Sequence, residues 1–437
     1  MSAEFEKARA LFVAGVEAFD ASRYVDAQKC FAASLELLPA RSSTLINLAA
    51  TLVRLGRPSE AIDALDRMPD QSTSGADPWR HRGEALHQLQ RYDEALMSYD
   101  RALSLDSASA ATWFHRAAAL DALQRHDDAL AALDRVIAIE PASAEAWLRR
   151  GQTLQQLERD EPALASYDKA IELDRTMVVA WTNRGGLLKD MGQLEDAAQS
   201  FREAIDRGGD REVNSYLLAS VTGADIPGAA PKAYVEQLFD EYASAFDQHL
   251  VGVLRYQGHD LLIAHLRRCD PREFQSALDL GCGTGLCGKL IRAVADDVTG
   301  VDLSQRMLDR AAQRKIYARL IHAEIVEFLR ETDSRHDLVV AADVFIYIGD
   351  LAPVFEGIAR VLEPGGIFCF STERADDDKD YELRTSLRYG QSERYVRRLA
   401  SGYGFEVADV LRHPLREDKQ ASIAGLYAYL RKPGSPA

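Results

Sequence analysis

Cysteines, long apolar runs and basic residues are all scarce in this sequence. Its 437 residues include 5 cysteines, an odd number spread from Cys30 to Cys369. That distribution is not a disulfide framework and favours a reducing compartment, so we expect a cytoplasmic location. The first residues lack the charged, apolar and small segments of a signal peptide, and no stretch approaches about 18 uncharged apolar residues. We therefore expect no membrane span.

The charge balance also argues against one class of partner. Lysine and arginine total 52 against 68 for aspartate and glutamate, which gives a net charge of −16. A protein that wraps nucleic acid needs a basic face to replace phosphate counterions, so we expect no nucleic-acid partner. At roughly 100–200 residues per domain, the length indicates two to four domains.

The first half of the sequence repeats with a period of 34 residues. All four tryptophans follow this spacing, and two leucines continue it towards the N-terminus: Trp79, Trp113, Trp147, Trp181, Leu45 and Leu11. A small residue follows each anchor by four positions: Gly15, Ala49, Gly83, Ala117, Gly151 and Gly185. An alanine follows each anchor by sixteen: Ala27, Ala61, Ala95, Ala129, Ala163 and Ala197. The six copies cover about residues 8–211.

This spacing has a physical explanation. Residues four apart share one face of a helix, so a small residue beside a large one lets a second helix approach closely. The alanine of the second helix is expected where two helices nearly touch. The pattern resembles the tetratricopeptide repeat family. The resemblance implies paired antiparallel helices, stacked into a right-handed superhelix with a concave groove.

Residues two positions after each anchor are the candidates for lining that groove. From the second copy onwards they are Asn47, His81, His115, Arg149 and Asn183. Such a polar row is suited to holding an extended peptide by its backbone and a carboxylate. A hydrated inner surface without a ligand is the alternative.

The period ends near Gly208, and a linker follows. Residues 220–234 read SVTGADIPGAAPKAY, a composition typical of a hinge. A helix from Arg211 to Leu218 is expected to cap the solenoid, because the end of a solenoid needs a polar cover. We therefore predict a repeat domain at 1–211, a capping and linker segment at 212–231 and a second domain at 232–437.

The second half alternates predicted strands with predicted helices after an opening helical stretch. The strand candidates are 276–281, 298–303, 318–323, 337–344, 366–373, 405–413 and 422–432. Their order predicts a parallel doubly wound sheet with ligands at the carboxyl ends of its strands. No helix separates the last two candidates, which indicates an antiparallel hairpin at one edge. The expected fold class is an all-α solenoid followed by an α/β Rossmann-like sheet.

The first of these strands ends in the motif Asp279-Leu-Gly-Cys-Gly-Thr-Gly285. Glycines allow a sharp turn and a close approach to a ligand, but the glycine pattern alone also matches dinucleotide-binding loops. Residues at other positions distinguish a dinucleotide-binding loop from a loop that binds another nucleoside-type ligand. Asp302 ends the second strand, where a carboxylate can accept from ribose hydroxyls. Glu324 follows the third strand, and Glu363-Pro-Gly-Gly366 precedes the fifth.

Together these residues resemble the class I S-adenosylmethionine-dependent methyltransferases across about residues 232–432. The resemblance implies that Gly281, Gly283 and Gly285 line the methionine part of S-adenosyl-L-methionine. It also implies that Asp279 faces the cofactor ammonium, directly or through water, and that Asp302 binds the ribose. The other positions carried over are Leu303 and Met307 beside the adenine, Ala323 or Glu324 at its edge, Asp343 beside the sulfonium, and Tyr242 and Phe246 over the cofactor.

Methyl transfer is an in-line displacement, so positioning matters most and a base is needed only for a protonated acceptor. The candidate catalytic residues are Asp343, Tyr347 and His413, and further acceptor-site candidates are His249, Arg388 and Tyr389. The Asn/Asp-Pro-Pro-Tyr and Pro-Cys motifs of nucleobase methylation are absent, which disfavours a nucleobase acceptor. Cys282 and Cys287 are interpreted as packing residues in a loop without zinc-ligand spacing, so no metal site is expected.

The whole layout resembles bacterial predicted methyltransferases that carry tetratricopeptide repeats. Three functions remain open. In the first, the protein is an enzyme that methylates a small molecule, and the repeats serve as a lid or an oligomer surface. In the second, it methylates a peptide or protein that is recruited through the groove. In the third, the chain is an interaction scaffold with a vestigial catalytic domain. The intact set of Asp279, the three glycines and Asp302 disfavours the scaffold, because a decayed site loses such residues.

Overall fold

The computed structural model describes residues 3–69, 75–243, 246–253, 256–418 and 421–434. Its contacts divide the chain into two compact units, Met1–Gly192 and Gln193–Ala437. The boundaries taken from the repeat period, 1–211, 212–231 and 232–437, stay a prediction.

The first unit is built of consecutive helices, which confirms the all-α class expected for the repeats. Its helices are α1 (Ala3–Asp20), α2 (Tyr24–Leu37), α3 (Ser42–Arg54), α4 (Pro58–Asp66), α5 (Asp77–Gln88), α6 (Tyr92–Leu105), α7 (Ala110–Ala122), α8 (His126–Ile139), α9 (Ala144–Gln156), α10 (Asp160–Leu173) and α11 (Val178–Asp190). Each of the first five repeats supplies two of them, and α11 is the first helix of the sixth. The alanines sixteen residues after the anchors are fully buried, as the spacing predicts: Ala27, Ala61, Ala95, Ala129 and Ala163.

Side-chain size is matched within each repeat. A Cβ on Gly83 would lie 2.4 Å from the ring of Tyr99, the large residue sixteen positions later. The same overlap recurs at 2.5 Å between Gly15 and Phe31. Repeats with alanine at the small position carry leucine instead of an aromatic residue at the large one: Ala49 with Leu65 and Ala117 with Leu133. Glycine is therefore required only where an aromatic ring fills the gap between the paired helices.

Three of the four tryptophan anchors, Trp113, Trp147 and Trp181, hydrogen-bond to the turn before their repeat. Trp113 donates its indole N–H to the carbonyl of Ser107, and Trp147 donates to that of Pro141, both at 3.0 Å. The large ring thus packs while its polar atom satisfies a turn carbonyl. This geometry supports the interpretation of these aromatics as structural.

The second unit contains further helices and the strands of one sheet. The helices are α12 (Leu194–Asp206), α13 (Arg211–Thr222), α14 (Lys232–Tyr242), α15 (Gly258–Cys269), α16 (Leu286–Ile291), α17 (Gln305–Gln313), α18 (Ile325–Glu331), α19 (Ala352–Val361) and α20 (Glu393–Gly402). The strands are β1 (Phe274–Leu280), β2 (Ala295–Asp302), β3 (Arg319–His322), β4 (His336–Ala341), β5 (Leu362–Arg374), β6 (Tyr381–Leu383), β7 (Tyr389–Gln391), β8 (Glu406–Asp418) and β9 (Ala421–Arg431). A π-helical turn spans Gln248–Val253, and a 3-10 turn spans Phe345–Tyr347.

The sheet has the order β3-β2-β1-β4-β5, and its first five strands are parallel. β9 continues the sheet by pairing antiparallel with β5 and with β8, which confirms the expected hairpin. The strands β6 and β7 were not predicted from the sequence. Each has only three residues, too few to show the alternation of apolar and polar residues that indicates a strand. Apolar cores cover both faces of the sheet. The loops after β1, β2 and β4 therefore meet at one edge, where parallel α/β sheets bind ligands.

Candidate functional site

The turn after β1 forms one wall of the site. Gly281, Gly283 and Gly285 have φ values of +66°, +52° and +86°, in the left-handed region that favours glycine. A Cβ on Gly281 would lie 2.3 Å from a methyl group of Val344 in the loop after β4. The turn therefore needs glycine for its backbone conformation and for its contact with the neighbouring loop.

Asp302 ends β2 beside this turn. Its carboxylate accepts hydrogen bonds from the backbone N–H of Gly283 at 2.7 Å and from that of Ser304 at 2.9 Å. Burial raises its pKa, while these backbone donors oppose the shift. Ser304 caps α17 by accepting from the N–H of Met307, so the carboxylate of Asp302 is not the helix cap. Its location on the cavity wall leaves it available to a polar ligand.

A cavity of about 540 Å³ opens at this edge of the sheet. The predicted site residues on its wall are Tyr242, Phe246, Gly281, Gly283, Asp302, Leu303, Met307, Glu324, Asp343 and Tyr347. The predicted residues that do not line it are Asp279, Gly285, Ala323 and His413. Such a volume is in the usual range for a small-molecule or cofactor site.

Asp279 is 1% exposed and lies behind the glycine turn. The hydroxyl of Tyr317 donates to its carboxylate at 2.7 Å. Burial raises the pKa of Asp279 to about 7, and the hydrogen bond from Tyr317 opposes the rise. The ring of Tyr317 occupies the space that a Cβ on Gly288 would need, at 2.2 Å from its hydroxyl oxygen. Sequence reasoning missed Tyr317, because a lone tyrosine between α17 and β3 carries no recognisable motif.

Glu324 forms hydrogen bonds within the protein. Its carboxylate accepts from the backbone N–H groups of Val326 at 3.0 Å and Glu327 at 2.8 Å, and so caps α18. A glutamate at this position therefore orients the first turn of α18 against the cavity.

Aromatic side chains cover the cavity. Tyr242 and Phe246 meet edge to face with ring centres 5.6 Å apart. Phe239 contacts Tyr347 in the same manner at 5.3 Å. Burial raises the pKa of Tyr347, while the neighbouring guanidinium of Arg388 opposes the rise. This cover is suited to excluding water from the space beneath it.

A buried chain of charges lies beside β4 and β5. Arg416 donates to both carboxylate oxygens of Asp343, at 2.8 and 3.0 Å, and also to Glu373. Glu373 in turn accepts from Arg384 at 2.6 Å. Asp343 has a left-handed φ of +57°, which is uncommon for a residue other than glycine. Its carboxylate is thus held as an ion pair, and a role as general base would require it to leave Arg416.

Sequence reasoning missed Arg416 and pointed to His413 on the same strand. His413 is exposed, with its ring near the carbonyl of Pro414, and it is not on the cavity wall. The structure therefore does not bring His413 together with Asp343 and Tyr347. The pairing register of β8 shifts between Pro414 and Arg416, and such a bulge re-aims the side chain that follows it.

The other acceptor-site candidates divide in the same way. Arg388 lines the cavity, whereas Tyr389 is buried with its hydroxyl donating to Pro227 at 2.8 Å. The side chain of His249 lies outside the described residues. His259, which no motif indicated, lines the cavity, and its buried Nδ1 has no hydrogen-bond partner among the described residues.

Part of the predicted groove row forms a cluster in the first unit. The carboxylate of Glu84 lies 3.2 Å from His81 and 3.4 Å from His115. Burial opposes the ionisation of Glu84, but the hydrogen bond from His81 and the charges around it hold its pKa at about 2. Asn47 instead donates to Ser43 on its own helix at 2.8 Å. Arg149 is exposed and Asn183 is half-buried, without a described contact to the Glu84 cluster.

A parallel sheet with a glycine turn and an acidic residue at the edge where its strands end is the arrangement found in nucleoside-binding α/β domains. Residues 278–370 match the family model of a methyltransferase domain. Tetratricopeptide repeat models match residues 12–76, 83–124, 110–153, 144–177 and 178–207. The chain therefore combines regions that match tetratricopeptide repeats with a region that matches a methyltransferase domain. This confirms the resemblance drawn from the sequence.

Similar proteins include the Malonyl-[acyl-carrier protein] O-methyltransferase of Pseudescherichia vulneris, which is 33% identical over 32% of this chain and 54% of that protein. The human mitochondrial Arginine-hydroxylase NDUFAF5 is 31% identical over 28% of this chain and 35% of its own. The N-methyltransferase NodS of Bradyrhizobium japonicum, solved with S-adenosyl-L-homocysteine, aligns at 18% identity with a TM-score of 0.37, over 45% of this chain and 98% of that one. The chain spans about half the length of the first curated relative.

Within the described residues, no helix is both long and apolar enough to cross a bilayer.

Proposed function

We propose that this protein binds S-adenosyl-L-methionine in the cavity beside the Gly281–Gly285 turn and transfers its methyl group to a small-molecule or peptide acceptor. The observation that carries the proposal is the convergence of that turn and the Asp302 carboxylate on one 540 Å³ cavity. The methyltransferase domain match over residues 278–370 supports it independently.

The wall residues fit this cofactor. Asp302 supplies an acceptor for ribose hydroxyls, and Leu303 and Met307 supply apolar contact for an adenine ring. The unpartnered Nδ1 of His259 offers a further polar contact to a ligand in the cavity. When bound, S-adenosyl-L-methionine supplies an electrophilic methyl group on a sulfonium. Asp279 acts from behind the turn, where its charge stabilises an ammonium.

The residues of this chain position the acceptor. Tyr347 and Arg388 lie on the same cavity wall as Asp343, so a polar acceptor meets a hydroxyl and a guanidinium there. The Arg416 pair fixes Asp343, and the aromatic cover excludes water from the transfer. These polar contacts suit a methyl acceptor whose reacting atom is oxygen or nitrogen. Such a molecule would carry a negative charge or a group that accepts hydrogen bonds. One relative is named a Malonyl-[acyl-carrier protein] O-methyltransferase, which is consistent with such an acceptor.

The repeats have a proposed role of their own, which is to recruit a peptide or protein acceptor, to enclose the acceptor or to mediate assembly. The Glu84 cluster with His81 and His115 supports recruitment, because it places polar groups on the predicted groove row. Charge reversal of Arg149 together with His115 should abolish turnover of a recruited peptide. Unchanged turnover of the true acceptor would remove peptide recruitment by this row. The alternative function is a protein-interaction scaffold that binds the cofactor without turnover.

Isothermal titration calorimetry with S-adenosyl-L-methionine tests the cofactor site. We expect saturable binding to the wild type and at least about tenfold weaker binding to Asp302→Ala, since a buried hydrogen bond to a charged group contributes about 1.5–3 kcal/mol. His413→Ala is the matched control, because His413 does not line the cavity, and it should bind as the wild type does. Equal affinity of Asp302→Ala and wild type would mean that Asp302 is not a ligand.

A further inference from the structure

A second cluster of ligand-type side chains lies away from the cavity, between α15 and β8. It consists of His265, Cys269 and Asp409, whose ligand atoms all lie within 4.8 Å of one another. His265 Nε2 is 2.8 Å from an oxygen of Asp409. None of the three lines the cavity of the proposed function.

Two separate features of the fold bring these residues together. His265 and Cys269 are four residues apart on α15, so both project from one face of the helix. The pairing register of β8 shifts between Val407 and Asp409, and a bulge of this kind re-aims the side chain towards the helix. The ring of His265 also packs on Tyr429 with centres 4.8 Å apart, which fixes its orientation.

We propose that His265, Cys269 and Asp409 form a binding site for a divalent metal ion of the zinc class. Imidazole nitrogen, thiolate sulfur and carboxylate oxygen are the donors that zinc takes, and three protein donors leave a fourth position for water. Ligand atoms around a tetrahedral zinc ion are about 3.3–3.6 Å apart. The three atoms therefore need to move by about an ångström or less to reach that geometry.

The charges at the cluster favour an ion. Binding releases one proton from the thiol of Cys269, and the proton of His265 moves from Nε2 to Nδ1, which leaves Nε2 free to coordinate. The thiolate and the Asp409 carboxylate then balance the two positive charges of the metal. Arg431 does not compete for Asp409, because it is paired with Asp270 at 3.1 Å. The side chains of His265 and Asp409 are 15% and 43% exposed, so solvent ions can reach them.

The site links α15 to the strand that carries Arg416. β8 contains Asp409 at the cluster and Arg416 at the cavity, so an ion bound at one point restrains the strand that supplies the other. Occupancy is expected to raise the melting temperature of the full chain. The proposal does not depend on methyl transfer, and it stands or fails apart from the proposed function.

Cobalt(II) titration of the reduced full-length protein tests the site, because a thiolate ligand gives cobalt a near-ultraviolet charge-transfer band. We expect one equivalent to bind with that band and zinc(II) to displace it. Cys269→Ser should lose the band, and His265→Gln and Asp409→Asn should each weaken binding by at least about 10-fold. Cys30→Ser, the same change at another half-buried thiol, and His413→Gln on the same strand are the controls and should behave as the wild type does.

Alkylation of the wild type gives a second measurement that needs no variant. Zinc should protect Cys269 from iodoacetamide and leave Cys30 unprotected, as peptide mass spectrometry reports. The proposal is overturned if the wild type shows no charge-transfer band, if Cys269→Ser keeps it, or if zinc leaves Cys269 as reactive as before.

Discussion

Replacing Tyr317 by phenylalanine removes the hydroxyl that donates to Asp279 at 2.7 Å and leaves the ring that fills the space beside Gly288. A hydrogen bond to a charged group contributes about 1.5–3 kcal/mol, and one pKa unit corresponds to about 1.4 kcal/mol. The change should therefore raise the pKa of Asp279 by about 1–2 units from its value of about 7. The nearby charge of Asp302 acts in the same direction.

The consequence is a shift in the pH dependence of cofactor binding. At pH 7 about half of the Asp279 carboxyls are ionised in the wild type, and about a tenth or fewer should be ionised in Tyr317→Phe. Affinity for S-adenosyl-L-methionine should fall by about 5–50-fold at pH 7, and the difference from wild type should shrink as pH rises through the raised pKa of Asp279 in the variant. Calorimetry between pH 6 and about 9.5 measures this profile.

Tyr395→Phe is the matched control, because its hydroxyl donates to Asp350 at 2.8 Å and neither residue lines the cavity. Its binding profile should follow that of the wild type. An equal loss of affinity by Tyr317→Phe at every pH would refute the reasoning, since it would indicate a packing defect rather than a displaced titration. An unchanged profile would mean that the charge of Asp279 does not act on the cofactor.

Other predictions concern stability. Arg416→Met should lower the free energy of unfolding by about 3–5 kcal/mol in urea titration, because it leaves buried carboxylates without their partner; a loss below about 1 kcal/mol would contradict this. Gly83→Ala should cost about 1–3 kcal/mol through overlap with the ring of Tyr99, and adding Tyr99→Leu should recover part of that loss, as the natural alanine–leucine repeats suggest; additive losses would refute the size match. The carboxyl of Glu84 has a lowered pKa of about 2, so its stabilising effect is present above its unfolded pKa and is lost as pH falls from about 4 to about 2. Glu84→Gln should remove that part of the acid dependence in circular dichroism, and an unchanged acid transition would contradict it.

The repeats and the sheet order were open to prediction because their causes are local. A 34-residue period records which side chains face each other, so the buried alanines and the small residue at position 83 follow from spacing alone. The Asp279–Gly285 turn was equally visible, because its backbone requires glycine and its neighbours follow consecutive strands.

The missed residues depend on contacts between distant parts of the chain. Tyr317 reaches back 38 positions to Asp279, and Arg416 meets Asp343 across 73. The pairing register of β8 shifts between Pro414 and Arg416, and no residue pattern in the sequence predicts such a shift. The cluster of His265, Cys269 and Asp409 was not predicted for the same reason, since 140 residues separate Cys269 from Asp409.

Transfer of labelled methyl from S-adenosyl-L-methionine in host lysate tests the central claim most directly. Protein and small-molecule fractions are separated after incubation with wild type or with Asp302→Ala. We predict label in an acceptor of one fraction with wild type and a loss of at least about tenfold with Asp302→Ala, following the weaker binding expected from the lost hydrogen bond. Saturable cofactor binding without labelled product in either fraction would contradict the claim that this protein is a methyltransferase.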